Sequence, residues 1–364
     1  MFRTWDPSAR VEVESGAELR SARTGGASLD TPARRGDTGG MFVPNLHRTV
    51  LSTALVVSLL ATGVASLVQG ATPAVDSIEV VADIDYAGSG NPRQQLDLYL
   101  PKMRSSAAPL PVIVFVHGGG WVGGAKGAGR VIVQPYAATG SYAGVSIGYR
   151  LASEARWPAQ IHDCKAAIRW IRANAARHGL DPERIGVIGS SAGGTLVTLL
   201  GVSGGVEDLE GSVGPHGSAS SRVACVVNRF GRLNFLAQPE SARASPAQAG
   251  PLAQRLALMF GGPVDEKAGL ARRASPVSHA AAGLPPIITF HGTADTLVPF
   301  VQAEEFDAAM RRAGGAHLLV PVQGGGHGYE NAEERRRVRQ FFDQHLRGIP
   351  SSISTEPIPH PVKR

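Results

Sequence analysis

The sequence contains little cysteine, and this shortage excludes a fold held together by disulfides. Its 364 residues include only two cysteines, Cys164 and Cys225, which are too few for a disulfide framework. Neither stands at a metal-ligand spacing from a histidine, so we expect both to be buried thiols. The sequence therefore predicts no metal site and no cofactor.

Charged residues are also scarce, at 18% of the chain, and the net charge is only +6. The basic residues are scattered along predicted helices rather than clustered, so we expect no nucleic-acid partner. Hydrophobic residues make up 43% of the chain, which is typical of a globular protein with a sizeable core. Length and composition favour one domain of roughly 250 to 280 residues with flanking segments.

The N-terminal part of the chain lacks the patterning of a folded domain. Residues 1–40 mix polar and small residues without apolar periodicity, so we expect them to be disordered or to precede a true start at Met41. Residues 41–71 contain basic residues, an uncharged apolar run and a small-residue end, which is typical of a secretory signal peptide. The protein is then secreted or periplasmic. An uncleaved membrane anchor is the alternative, and membrane contact is expected only in that case.

From residue 78 to residue 348 the sequence alternates strand-like and helix-like stretches, which predicts an α/β domain. The predicted strands are 78–84, 95–100, 112–116, 142–147, 185–188, 223–227, 287–290 and 318–322. The first two alternate apolar with polar residues and indicate an antiparallel hairpin, whereas the fully apolar runs suit central strands buried on both faces. We expect a mostly parallel, twisted sheet of eight strands with helices on both faces.

One helical segment between these strands has a clear amphipathic pattern. Apolar residues recur at helical spacing along 161–175, so this stripe is expected to face the sheet. The residues predicted to point away from the sheet are Asp163, Lys165, Arg169 and Arg172.

Three other segments interrupt or end the α/β pattern. The stretches 203–222 and 237–251 are rich in glycine, serine and proline, and we expect both to form long loops near the functional site. The tail, 349–364, has several prolines and little apolar content, so it is predicted to be disordered.

A glycine-serine turn follows the strand at 185–188 and precedes a helical stretch. Its Gly-x-Ser-x-Gly pattern runs from Gly189 to Gly193 and centres on Ser191, so Ser190 is out of frame. A serine at a sharp strand-to-helix turn is held in strained geometry, which small flanking residues permit. Its hydroxyl then emerges beside a helix N-terminus, whose free N–H groups stabilise an anion. Ser191 is therefore the predicted nucleophile.

A glycine triplet follows the earlier apolar strand at 112–116. In His117-Gly-Gly-Gly-Trp121 the glycines leave backbone N–H groups unobstructed and able to point at a substrate oxygen. The predicted oxyanion-hole donors are the N–H groups of Gly118, Gly119 and Ala192. Trp121 and Tyr329 are predicted to bind substrate. For Trp121, a structural role in covering the edge of the sheet is an equal alternative. His117 is expected to be a structural hydrogen-bonding residue.

An aspartate and a histidine complete the pattern. Asp295 follows the apolar run 287–290, and His327 lies in a glycine-rich turn between a strand and the last helix. A serine hydroxyl is a weak nucleophile until a neutral imidazole accepts its proton, and a carboxylate must orient that imidazole. The chain order Ser191, Asp295, His327 suits such a triad. Asp307 is a weaker candidate for the acid because it lies in a helical stretch.

These motifs resemble those of the α/β-hydrolase superfamily, and within it the esterases that carry a His-Gly-Gly-Gly-Trp loop. The resemblance covers about residues 78–346 and is closest to acetyl xylan and feruloyl esterase-like carbohydrate esterases. The hormone-sensitive-lipase branch matches less well, because an acidic residue usually precedes its nucleophile where this chain has Ser190. The resemblance implies an esterase that removes acetyl or feruloyl groups from small-molecule or polysaccharide esters through an acyl-enzyme.

Two other functions remain open from the sequence. An amidase or peptidase uses the same triad on the same fold, although the chain carries no obvious propeller and no acidic pair for binding an amine. A catalytically inactive binding module is the third hypothesis, which the retention of all three triad residues disfavours.

Overall fold

A nine-stranded sheet forms the centre of the protein in the computed structural model, which describes residues 77–237 and 250–360. The strands are β1 (Ile78–Asp85), β2 (Gln95–Pro101), β3 (Leu110–Val116), β4 (Ala143–Ile147), β5 (Leu180–Ser190), β6 (Cys225–Arg229), β7 (Ile287–Gly292), β8 (His317–Gln323) and β9 (Ile358–Pro359). Their order across the sheet is β1-β2-β4-β3-β5-β6-β7-β8-β9. Strand β2 pairs antiparallel with β1 and with β4, which confirms the predicted hairpin, and the other neighbouring pairs are parallel.

Helices cover both faces of the sheet, as predicted. The helices in the described part are α1 (Arg130–Ala137), α2 (Ala159–Ala173), α3 (Ala175–His178), α4 (Ala192–Val202), α5 (Glu207–Glu210), α6 (Pro251–Phe260), α7 (Ala268–Ala274), α8 (Val301–Ala313) and α9 (Ala332–Arg347). Successive side chains of a strand point to opposite faces, so Val112 and Val114 of β3 join the core that contains α2 and α4. Ile113 and Phe115 enter a second core with α1 and α9. The parallel strands are therefore buried on both sides.

The prediction of eight strands was wrong by one, because part of the tail is ordered. Strand β9 pairs parallel with the edge strand β8, and the side chain of Ile358 is fully buried. Arg337 of α9 anchors the preceding chain by donating hydrogen bonds to the carbonyl oxygens of Ser354 and Glu356. A strand of two residues is too short to show an alternating pattern in the sequence. Its order depends on contacts with residues that are distant in the chain. Residues 361–364 lie outside the described residues.

The polar side of helix α2 is buried, which its sequence pattern does not reveal. Asp163, Lys165 and Arg169 are almost inaccessible to solvent. The reason is that part of 203–222 packs over this side. The carboxylate of Glu210 accepts a hydrogen bond from Lys165 Nζ at 2.7 Å, and its backbone carbonyl oxygen accepts one from Arg169 Nη1 at 3.0 Å. A buried charge is tolerated when it is paired in this way. This stretch therefore covers α2 instead of forming a loop beside the functional site, and it contains the short helix α5.

Both cysteines are buried and free, as expected. The predicted disordered segment 1–40, the predicted leader 41–71 and most of the predicted loop 237–251 lie outside the described residues. Across 77–237 and 250–360, no helix is both long and apolar enough to cross a membrane.

Candidate active site

Strand β5 ends in a tight turn that holds Ser191 at the start of helix α4. Ser191 has φ of 55° and ψ of −122°, a strained backbone conformation that L-residues rarely adopt. Its N–H donates to the carbonyl oxygen of Arg229 at 2.9 Å, which fixes the turn to β6. A Cβ on Gly193 would overlap the carbonyl oxygen of Val116, so only glycine lets the turn approach β3 this closely. The hydroxyl of Ser191 is thereby held above the carboxyl edge of the sheet.

The three predicted triad residues meet at this edge. His327 Nε2 lies 2.8 Å from Ser191 Oγ, and His327 Nδ1 lies 2.8 Å from Asp295 Oδ2. A carboxylate only accepts hydrogen bonds, so Nδ1 carries the hydrogen and Nε2 is free to accept the hydroxyl proton. The His327 side chain is 19% exposed, whereas that of Asp295 is fully buried. The geometry thus suits transfer of a proton from serine to histidine.

The buried carboxylate of Asp295 is held in its charged form by its neighbours. Its Oδ1 accepts hydrogen bonds from the N–H groups of Leu297 and Val298, both at 2.9 Å. His291 Nε2 lies 2.7 Å from the carbonyl oxygen of Val298 and 3.4 Å from Asp295 Oδ2. Burial alone would raise the pKa of Asp295, but the hydrogen bonds from His291, His327 and Val298 outweigh it and hold the pKa well below its usual range.

Asp307, the weaker candidate for the acid, belongs to a different histidine pair. Its Oδ1 lies 2.8 Å from His317 Nδ1, and His317 Nε2 contacts Thr289 Oγ1 at 2.9 Å. Arg311 also pairs with Asp307, at 2.7 Å. This pair does not contact Ser191, so the structure brings Asp295 and not Asp307 to the nucleophile.

The predicted oxyanion loop lies directly against the serine turn. A Cβ on Gly118 would lie 2.7 Å from the carbonyl oxygen of Ser190 and 3.3 Å from Ser191 Cβ. Among the described residues, the N–H groups of Gly119 and Ala192 donate to no other backbone group. Ala192 is the first residue of α4, where N–H groups have no partner within the helix. The assignment of Gly118, Gly119 and Ala192 as donors stays a prediction.

His117, at the start of the same loop, has a structural environment. Its ring stacks on Tyr149 with 4.2 Å between centroids, and its Nδ1 lies 2.7 Å from the carbonyl oxygen of Gly118. Burial lowers the pKa of His117 to about 4, so the ring is neutral at physiological pH. It supports the loop, as expected, and does not contact Ser191.

The BD-FAE family profile matches residues 96–310, which is more than half of the chain and includes Ser191 and Asp295. The chain belongs to the BD-FAE family. A BD-FAE domain therefore covers residues 96–310, and the fold is that of α/β-hydrolase esterases.

Relatives of this BD-FAE domain are esterases. A truncated carbohydrate esterase from gut microbiota is 30% identical with a TM-score of 0.66, and the match covers 76% of this chain and 99% of that one. The thermophilic esterase Est2 of Thermogutta terrifontis is 29% identical with a TM-score of 0.57, covering 74% and 92% of the two chains. Esterase LipC of Mycobacterium tuberculosis is 34% identical over 244 residues, covering 66% of this chain and 58% of LipC. The chain thus spans little more than half the length of this curated relative.

A cleft of about 390 Å³ opens above the nucleophile of the BD-FAE domain. Its lining residues are Gly119, Gly120, Trp121, Ser191, Ala192, Phe230, Arg232, Leu252, Arg255, Leu297, Val298 and His327. Trp121 lines the cleft with its ring packed on Phe235, so its position is compatible with the predicted contact to substrate. Tyr329 is not a lining residue: its ring is buried behind Phe230, and this position does not support direct contact with substrate. In the described ranges, no group of three or more His, Cys, Asp or Glu side chains is placed to hold a metal ion.

The sequence prediction missed Phe230 and Arg232, which follow β6. Phe230 packs edge-on against the His327 ring, with 5.0 Å between centroids, and so limits how that ring can turn. Both residues sit where β6 ends at the carboxyl edge of the sheet, which is where ligands bind in parallel sheets. Their position after a predicted strand could have indicated a place in the site, but neither residue belongs to a recognisable motif.

A buried ion pair beneath the site joins β6 to α9. Arg229 Nε lies 2.7 Å from Glu334 Oε1, and Arg229 Nη2 also donates to the carbonyl oxygen of Tyr329 at 3.2 Å. The Glu334 side chain is 1% exposed. Because Arg229 also accepts the hydrogen bond from the Ser191 N–H, one residue links the nucleophile turn to the segment that follows His327.

Replacing Glu334 with glutamine is expected to lower the free energy of unfolding by about 3–5 kcal/mol, because the charge of Arg229 is then buried without a partner. Urea denaturation of the two proteins measures this difference. Glu330→Gln is the matched control: Glu330 pairs with Arg335 at the surface, with its side chain 78% exposed, and such a pair contributes about 0–1 kcal/mol. Equal losses in the two variants would contradict the importance of the buried pair.

Proposed function

We propose that the protein is a serine carboxylic ester hydrolase that works through an acyl-enzyme. The observation that carries the proposal is the position of His327, whose ring nitrogens contact Ser191 Oγ and Asp295 Oδ2, each at 2.8 Å. This arrangement supports Ser191 as the nucleophile, His327 as the general base and Asp295 as the group that orients the base.

The reaction begins when His327 Nε2 accepts the hydroxyl proton of Ser191 while Oγ attacks the ester carbonyl carbon. The carbonyl oxygen becomes an oxyanion, and the N–H groups of Gly118, Gly119 and Ala192 are proposed to stabilise it. The charged imidazole, stabilised by Asp295, then gives its proton to the leaving alcohol as the C–O bond breaks. The acyl group remains on Ser191. A water molecule, deprotonated by His327, attacks this acyl-enzyme and releases the carboxylic acid.

Acetyl or feruloyl esters of polysaccharide are the proposed substrates. The support is the similarity to the carbohydrate esterase from gut microbiota and to a bifunctional GH43-CE protein of Bacteroides eggerthii, which is 34% identical with a TM-score of 0.66. The volume of the cleft, about 390 Å³, lies in the range typical of small-molecule sites. Export through the segment 41–71 belongs to the same proposal, because a polysaccharide substrate lies outside the cell.

The proposal is tested by comparing kcat/KM on a matched ester and amide, 4-nitrophenyl acetate and 4-nitroacetanilide. We expect the ester to react faster by about 10³-fold or more, which corresponds to roughly 4 kcal/mol of activation free energy. Methyl ferulate and acetylated xylo-oligosaccharides, assayed beside them, test the substrate class.

Comparable rates on the amide and the ester would contradict the esterase and favour the amidase. Hydrolysis of 4-nitrophenyl acetate without hydrolysis of either natural-type ester would keep the esterase and overturn the proposed polysaccharide substrate.

A further inference from the structure

Two arginines line the catalytic cleft, and the triad mechanism uses neither. Arg232 follows β6 and is only 1% exposed, yet it lines the same cleft as Ser191. Arg255 lies on the exposed side of α6 and reaches the glycine loop, where a Cβ on Gly120 would lie 3.0 Å from Arg255 Nη1. The two guanidinium groups thus come from separate elements to one cavity.

The guanidinium of Arg232 is buried with most of its hydrogen-bonding capacity unused. Its Nη2 donates to the carbonyl oxygen of Leu297 at 3.3 Å, while Nε and Nη1 have no hydrogen-bond partner among the described residues. A guanidinium carries five N–H donors, and burying them without acceptors is costly. A side chain whose only role was to brace Leu297 would not need a charge. Because Arg232 lines the cleft, an anionic group that enters the cleft can pair with this charge.

No acidic side chain in the described ranges pairs with either arginine. The lining of the cleft contains no aspartate or glutamate. The nearby carboxylate of Asp295 already accepts from His327 and from two backbone N–H groups. Burial lowers the pKa of Arg232 to about 10, with Asp295 acting in the opposite direction, so the guanidinium remains charged at neutral pH. Arg232 and Arg255 are thus the charged side chains among the described lining residues, and positive charge in a cleft attracts anionic ligands.

We propose that Arg232 and Arg255 form an anion subsite, and that the preferred substrate is an ester that also carries a carboxylate. This inference rests on the proposed esterase function. Arginine is well suited to carboxylate recognition, and the guanidinium of Arg232 lines the cleft without a carboxylate partner among the described residues. Arg255 adds a second positive charge from the exposed side of the cleft. The carboxylate belongs either to the acyl part or to the alcohol part of the ester.

Two pairs of nearly isosteric esters separate these sources. Monomethyl succinate and methyl succinamate differ only by a carboxylate or an amide in the acyl part. The corresponding alcohol-side pair is 3-acetoxypropanoate and 3-acetoxypropanamide. We expect kcat/KM to favour the carboxylate in at least one pair by about 10- to 100-fold, as for a hydrogen bond to a charged group. The preference is expected to shrink as ionic strength rises.

Variants link this preference to the two arginines. Arg232→Gln is expected to bring the carboxylate-to-amide ratio of kcat/KM close to one, and Arg255→Gln, at an exposed position, is expected to reduce it severalfold. Because each ratio is measured on one preparation, loss of folded protein cancels. Arg312→Gln is the matched control, since it removes an exposed positive charge on α8 away from the cleft and should leave the ratio unchanged.

The inference is overturned if wild-type protein hydrolyses 4-nitrophenyl acetate but shows no carboxylate preference in either pair. It is also overturned if the preference survives in both arginine variants. Failure to hydrolyse any ester, 4-nitrophenyl acetate included, would instead remove the proposed esterase function on which the subsite depends.

Discussion

Replacing Ser191 with alanine is expected to lower kcat on 4-nitrophenyl acetate by about 10⁶-fold, because removal of the nucleophile eliminates the acyl-enzyme route. The fold should remain intact, since the backbone N–H of residue 191 still donates to Arg229 and an alanine removes only the hydroxyl. Covalent labelling by a fluorophosphonate probe should disappear in the same variant. Circular dichroism and urea denaturation would verify that the protein is folded.

Ser190→Ala is the matched control for this experiment. Ser190 is the neighbouring serine, and its Oγ lies 3.5 Å from Arg229 Nη1 rather than near His327. We expect this variant to keep the probe reaction and to change kcat only slightly. Loss of labelling in Ser190→Ala with retention in Ser191→Ala would reverse the assignment of the nucleophile.

Asp295→Asn is expected to lower kcat by about 10⁴-fold with little change in KM. An asparagine can offer its NH₂ group to His327 Nδ1, which favours the tautomer with the hydrogen on Nε2. That hydrogen faces Ser191 Oγ, so the ring can no longer accept the serine proton. The loss of kcat comes from the tautomer of His327 that cannot act as a base, and it requires no movement of the imidazole.

Asp307→Asn provides a comparison in the same chain, because Asp307 also contacts a histidine Nδ1 at 2.8 Å. The partner, His317, bonds to Thr289 and does not contact Ser191. We expect kcat within a few-fold of wild type in this variant. A larger loss in Asp307→Asn than in Asp295→Asn would mean that the acid has been assigned incorrectly.

Much of the α/β architecture was predictable because parallel strands buried on both faces leave continuous apolar runs in the sequence. The run at 112–116 became β3, and the run at 287–290 became most of β7. The glycine pattern around Ser191 was equally readable, since a strained turn pressed against β3 tolerates only small neighbours. Each of these features depends on residues adjacent in the chain.

The features that the sequence did not predict depend on contacts between distant segments. The sequence of 161–175 does not reveal that Glu210 covers the charged side of α2. Strand β9 was missed because its order depends on β8 and on Arg337. Tyr329 was predicted to bind substrate, but its ring packs against Phe230 and does not line the cleft.

The amino-acid sequence alone was sufficient for the class of fold and for the candidate nucleophile, base and acid, because each lies in a short motif at a strand end. Three-dimensional packing was needed for the distances among them and for the positions of Arg232 and Arg255 at the cleft. The physical reason is the sequence distance over which each interaction acts. Hydrophobic periodicity and turn conformation depend on a few neighbouring residues. Burial, charge pairing and cavity shape depend on residues that only folding brings together.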